Sequence, residues 1–252
     1  MLDLVTIRER PDLRDAIHAE TFNRLWPTFV MHDPVAALYF KTPYFDRYLD
    51  TAFAVIDRAE PGRAVGRAFA VPFVFGEFGR DELPDSGWDG VIRWAHEDQV
   101  LNRRPNALSV LEITLLPECR GGGASRVVLD AVRRHAGALG YRQLFTPVRP
   151  TAKHLEPFTP MAEYVARRTA AGLPADPWLR VHVGAGGEIV KLAPTSMLIA
   201  GRLAEWRKWV SLPLEVSGAA AIPGGLSPLW VSVEQDSAVY VEPNVWFRHS
   251  VL

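Results

Sequence analysis

Apolar and polar positions change period several times along the chain, and the changes outline its elements. Residues 2–8 alternate, as a strand does. Over residues 11–25 the period lengthens: Leu13, Ile17, Phe22 and Leu25 form an apolar stripe at helical spacing, and Pro27 ends it. Asp33-Pro34 pairs an N-cap with a proline at the first helical position. It predicts a second helix reaching about Asp50, rich in aromatics such as Tyr39, Phe45 and Tyr48. Residues 52–57 and 64–75 read as a strand pair turning at Glu60-Pro61-Gly62. Residues 79–104 read as an insertion carrying a helix with Trp88, Val91, Ile92, Trp94 and Val100.

The clearest pattern lies in residues 107–148. Residues 107–116 form an apolar, β-branched run with one charge, Glu112. Ala124, Val128, Ala131, Val132, His135 and Leu139 then recur at three and four residues, and Gly140 follows as a left-handed helix cap. Residues 142–148 form a second short strand. Strand, glycine loop, helix and strand make one βαβ unit, for which a right-handed crossover is expected. Residues 149–175 read as a substrate-side loop or lid with a helix over 161–171. Asp176-Pro177 opens another helix, which stops at Gly184-Ala185-Gly186-Gly187, and residues 188–192 follow as a strand. Toward the end come a helix over 202–210, a small-residue loop over 217–227, and a hairpin of strands 229–234 and 238–247 turning at Asp236-Ser237.

The joint between the first strand of the βαβ unit and its helix carries the chemistry. Residues 120–125 place Gly121, Gly122 and Gly123 at a helix start, where about four amides lack partners and the positive end of the dipole lies. Without Cβ atoms an anion can approach that backbone, so a phosphate or pyrophosphate is the expected ligand. A tight turn that uses glycine for its geometry is the alternative. No Lys-Ser or Lys-Thr follows, as a Walker loop requires, and the G-x-G-x-x-G spacing of a dinucleotide fold fails.

The joint resembles the acyl-CoA loop of the GNAT N-acyltransferase superfamily, whose pattern is Arg or Gln, two residues, Gly, one residue, then Gly or Ala, after an apolar strand and Pro. Arg120, Gly123 and Pro117 match, and Ser125, small enough to fit, stands where Gly or Ala is usual. The element order through Val148 is similar to that family's as well. The resemblance implies an α/β fold with a mixed, mostly antiparallel sheet, flanked by helices and splayed at its fourth and fifth strands. Pro147 suits a splayed position, since it cannot donate to a ladder. One such domain would span residues 1–252, with insertions at about 79–104 and 149–175 and an extension from about 195. The resemblance also implies acetyl-CoA or another acyl-CoA as co-substrate. It would be held by the backbone near Leu115 and Leu116 and by Arg120, Gly121, Gly122, Gly123, Ala124 and Ser125.

Acyl transfer needs a base for the amine and an acid for the leaving thiolate. Glu112, the lone charge in its strand, stands where the family often uses a carboxylate; burial would raise its pKa toward a useful value. His182, four residues before Gly186, aligns with the family's Tyr at the acyl sulfur and is the candidate acid, or a base through water. Cys119 beside the loop is a weaker candidate, as a nucleophile. Lys153, His154 and Tyr164 are weighed as substrate-facing against solvated loop residues, and residues 241–246 with His249 as a wall of the acceptor pocket.

Composition narrows the partners. Of 252 residues 48% are apolar and 23% charged, with a net charge of −1. That balance is ordinary for a globular chain and gives no electrostatic case for nucleic acid or an anionic membrane. One cysteine excludes an internal disulfide framework and suits a reducing cytoplasm; residues 1–8 read as a charged strand rather than a signal peptide. Seven histidines are scattered without zinc spacing, so no metal is expected. The reading is an N-acyltransferase, most simply an acetyltransferase, acting on a small-molecule amine by direct transfer. Alternatives are a long-chain acyl or acyl-carrier-protein-dependent enzyme and a non-catalytic CoA-binding module. Eight tryptophans and the final hairpin suggest a homodimer.

Overall fold

In the computed structural model, which describes residues 1–252, nine strands join one sheet. They are β1 (Leu2–Thr6), β2 (Ala52–Asp57), β3 (Glu60–Phe73), β4 (Ala107–Leu115), β5 (Gln143–Val148), β6 (Glu188–Arg202), β7 (Gly218–Ala220), β8 (Leu229–Ser232) and β9 (Ser237–His249). The order is β1-β2-β3-β4-β5-β9-β8-β7, with β6 on the other side of β9. Only β4 and β5 run parallel; every other pairing is antiparallel. The mixed, mostly antiparallel sheet expected from the sequence is therefore the one observed.

Eight α-helices accompany the sheet: α1 (Arg14–Ile17), α2 (Glu20–Asn23), α3 (Ala37–Phe40), α4 (Gly87–Val100), α5 (Ala124–Ala138), α6 (Met161–Ala166), α7 (Pro177–Gly184) and α8 (Leu203–Val210). Two of them cover opposite faces of the central strands. Val91, Ile92 and Ala95 of α4 pack with Phe69, Val71 and Phe73 of β3. Val128, Leu129, Val132 and Ala136 of α5 pack with Ala68 and Ala70 of β3 and with Leu108 and Val110 of β4. Each of these buried Val, Leu, Ile and Phe side chains contributes about 1.5–3 kcal/mol relative to exposure, so this two-sided packing fixes β3 and β4 as the rigid floor of the molecule.

Several expected elements differ. The helix expected over 11–25 breaks after Ile17, because Ala19 is extended (φ −58, ψ 144) and the Ile17 carbonyl turns to accept from Arg67 Nη1 at 2.9 Å. The helix expected from Asp33 to Asp50 shrinks to α3 and one 3-10 turn, Phe45–Arg47. Pro43 cannot continue a helix, and Tyr39, Phe45 and Tyr48 all bury in one core rather than forming a stripe. Asp33 does cap locally, accepting from the Val35 amide at 2.7 Å. The β2–β3 turn falls at Arg58-Ala59, and Pro61, Gly62 and Arg63 form a bulge in β3. The helix expected over 161–171 ends at Ala166, and β6 runs well past Leu192, pairing with β9 to Arg202. No helix is long and apolar enough to cross a membrane.

Candidate active site

Where β4 and β5 part, the sheet opens. Their pairing covers only Ala107↔Gln143, Leu108↔Leu144 and Ser109↔Phe145, although β4 continues to Leu115 and β5 to Val148. Pro147 lies beyond the last of these pairs, where its missing N–H costs no bond to β4, while it stays in register with Trp246 of β9. Leu111 is unpaired opposite the Phe69–Ala70 step, a bulge that bends β4 where the parting begins. A groove of about 1250 Å³ fills the gap and reaches Arg120 and Ser125 at one end and Trp178 and His182 along its wall.

The phase of β4 decides which backbone groups face this groove. The Leu116 amide donates to Val65 O at 2.9 Å, toward β3. Antiparallel pairing alternates bonded and non-bonded pairs, so the peptide groups of Leu115 and Ile113 point away from β3, into the gap. Leu115 O there accepts from Arg120 Nε at 3.0 Å. Of the two backbone positions expected from the sequence, Leu115 faces the groove and Leu116 does not. Ile113 takes its place, a consequence of pairing register that sequence alone does not state.

At the loop, Gly121, Gly122 and Gly123 all have positive φ (91, 55 and 81), a region that excludes most side chains. A Cβ at any of them would meet nothing within 4 Å, so the conformation rather than crowding selects glycine. The amides of Gly121, Gly122, Gly123 and Ser125 have no acceptor within the protein, whereas Ala124 N is tied to Gly121 O at 3.0 Å. The Ala124 amide is thus removed from the expected set of anion donors. The remaining four open amides at the start of the 15-residue α5 suit an anion.

Deeper in, Glu112 is half of a buried ion pair and not the isolated carboxylate expected from its strand. Arg67 of β3 donates Nε to Oε1 at 2.6 Å, and the side chains are 4% and 10% exposed. Thr114 Oγ1 at 2.6 Å and Trp26 Nε1 at 3.3 Å also donate to Oε1. Oε2 has only Arg67 Nη2 at 3.4 Å, which leaves it the open acceptor. Arg67 itself is held by Ile17 O and Asn23 Oδ1 and lies 5.4 Å and 5.3 Å from the ring centroids of Phe22 and Phe69. Arg67 was not singled out from the sequence. Its signal is the same as that of Glu112: one charge, of opposite sign, in the otherwise apolar run 64–75.

His182 sits on α7, whose start is capped as expected: Asp176 Oδ1 accepts from Trp178 N and Leu179 N at 2.9 and 3.1 Å. Its Nδ1 lies 2.9 Å from Nε2 of His249 on β9. Burial, then the neighbouring His249, hold the His182 pKa well below the ordinary histidine value. Burial, then Arg133, bring that of His249 down to about 4. Both shifts favour the uncharged rings, so His182, the candidate acid or base through water, would act as a neutral imidazole.

The remaining candidates resolve into structure. Lys153 is buried, its Nζ donating to Glu156 O and Leu226 O at 2.6 and 2.7 Å, and Tyr164 donates to Asp176 Oδ2 at 2.8 Å. Both anchor the 149–175 segment instead of facing substrate or solvent. Glu242 lines the groove but is bound by Arg149 Nε at 2.9 Å and Tyr240 OH at 2.7 Å. Cys119 is partly exposed, and no histidine bonds to it. No cluster of three or more His, Cys, Asp or Glu converges as metal ligands.

Comparison with known proteins bears on this geometry. No family profile matches the chain. An arginine N-acetyltransferase of Aspergillus versicolor, avaD, is 30% identical over 276 residues, covering 98% of this chain and 93% of that protein. Among solved structures, the loading GNATL domain of CurA from Lyngbya majuscula superposes with a TM-score of 0.52 at 15% identity, covering 100% of this chain and 98% of that one. This second likeness is one of fold.

Proposed function

The chain belongs to the GNAT superfamily of N-acyltransferases, and from that membership we propose how its groove works. The enzyme transfers an acyl group to an amine. The finer reading is that acetyl-CoA supplies the group and that the acceptor is a small amine of the arginine type, by likeness to the Aspergillus relative. One observation carries this reading: a single groove links the start of α5, with its open amides, through the parted strands to Glu112 and His182.

The roles follow from what each group can offer. The amides of Gly121, Gly122, Gly123 and Ser125 take the diphosphate of coenzyme A. The gap-facing peptide groups of Ile113 and Leu115 bind the pantetheine arm and polarise the thioester carbonyl. Glu112, with Oε2 open, draws in the ammonium of the acceptor and takes its proton, directly or through one water. His182 presents a neutral imidazole at the sulfur. The C–N bond forms as the C–S bond breaks, and the proton lost by the amine ends on the thiol.

Release of free CoA thiol from acetyl-CoA, measured with L-arginine, agmatine, simple alkylamines and no acceptor, tests the reading. Amine-dependent thiol release with an acetylated product is expected. Thiol release only from long-chain acyl-CoA, or none with any amine despite CoA binding, would contradict it.

A further inference from the structure

His249 is the one residue that hydrogen-bonds to the His182 side chain, and its position is built into the fold. It arrives on β9, next to Glu188 and Gly187 at the start of β6. A Cβ at Gly187 would lie 2.4 Å from His249 Cε1, 2.8 Å from its Nε2 and 2.8 Å from the His182 carbonyl oxygen. Any other residue at 187 would therefore push the imidazole or the end of α7 aside. Glycine there is required by close approach, since its φ is not positive.

Two neutral imidazoles 2.9 Å apart, Nδ1 facing Nε2, share a single hydrogen across that contact. Whichever ring donates, the tautomer of the other is fixed. The two outer nitrogens, His182 Nε2 and His249 Nδ1, are buried without partners. The surroundings break the tie. His182 lines the groove and His249 does not, and His249 Nδ1 is buried with no acceptor in reach. A hydrogen on His249 Nδ1 would be an unpaired buried donor, whereas one on His182 lies beside the groove, where a ligand or water can accept it. The hydrogen of His249 then sits on Nε2 and is donated to His182 Nδ1, which puts the hydrogen of His182 on Nε2. The other neighbours of His182, Trp178 on α7 and Phe247 on β9, carry no charge that would oppose this.

We infer that His249 is a positioning residue that locks neutral His182 as the Nε2–H tautomer, giving the groove a fixed hydrogen-bond donor for the departing sulfur. The inference rests on the acyl-transfer reading of the groove. His182 keeps its hydrogen throughout, so its role is to stabilise developing charge, and no imidazolate is formed.

The test is nitrogen-detected NMR of the histidine side chains in the full chain, paired with steady-state kinetics. The wild type should show His182 protonated at Nε2 and neutral near pH 7. His249→Phe should give mixed tautomers at His182. It should lower kcat at least about tenfold while the KM values stay within about twofold. His249→Gln, which can still donate to Nδ1, should restore most of the kcat and guards against misfolding of the Phe variant. A wild-type His182 protonated at Nδ1, or an unchanged kcat in folded His249→Phe, would overturn the inference. The Nε2–H tautomer without turnover on any amine would instead overturn the acyl-transfer reading and leave the lock standing.

Discussion

Around Gly122, in the loop between Arg120 and Ser125 at the outer end of the groove, a Cβ would touch nothing within 4 Å and the amides of Gly121, Gly122 and Gly123 have no partner. Around Glu112, further in, one carboxylate oxygen accepts from three different residues. The outer end is open backbone that waits for a ligand. The inner end is closed except at Glu112 Oε2, its ion pair already matched. The contrast separates two ways of binding: on the proposed reading the loop would gain its contacts only when an anion arrives, whereas the inner end is preorganised and costs stability if any member is removed.

The largest effect should come from breaking the closed end. Arg67→Met leaves Glu112 nine-tenths buried without its cation, which should cost about 3–5 kcal/mol of folding free energy. Urea unfolding measures it, and a loss below about 1 kcal/mol would mean that the network is not closed. Glu112→Gln keeps the shape and removes the proposed base, so kcat at neutral pH should fall roughly 10²-fold. The pH–rate profile of that variant checks the role; a profile like that of the wild type would take Glu112 off the list. At the open end, Gly123→Val forces a β-branched residue to φ 81 at a helix start. The KM for acetyl-CoA should rise about tenfold with kcat at saturation within about twofold, and an effect on kcat alone would blur the contrast.

The smallest effect concerns a second buried carboxyl near the groove. Burial, then the facing Asp33, push Asp89 up to about 9. The folded chain thus holds a proton that the unfolded chain has released above about pH 4, so this group lowers stability as pH rises from about 4 to about 9. Asp89→Asn should remove that decline and raise Tm by a few degrees at pH 8. Thermal melts at pH 5 and pH 8 would show the gap between variant and wild type widening with pH; parallel curves would contradict it. The buried histidines act in the other direction. His249, near 4 when folded and 6.5 unfolded, gives up its stabilising share as pH falls between those values.

The contrast also explains what could be read from the sequence. The loop is contiguous, so Pro117, Arg120 and Gly123 were legible as one motif, and the α5 stripe through Val128 and Val132 found its face. Asp176-Pro177 announced α7 by local capping alone. The inner end is assembled from distant residues: Arg67 lies 45 positions from Glu112, Trp26 lies 86 away, and His249 is 67 from His182. No spacing rule links them; strand register and β9 do. The helices expected over 11–25 and 33–50 failed for a related reason. Their apolar residues are placed by the core and by Arg67, which takes the Ile17 carbonyl, and local period does not record that competition.

The central claim is that the free amides at the start of α5 bind the diphosphate of coenzyme A. It is tested most directly by amide NMR during titration with coenzyme A and, separately, with pantetheine, which has no phosphate. The account predicts that coenzyme A shifts the amides of Gly121, Gly122, Gly123 and Ser125 most strongly and that pantetheine leaves them in place. Binding of coenzyme A that moves groove residues such as Ile113 while those four amides stay unchanged would contradict it.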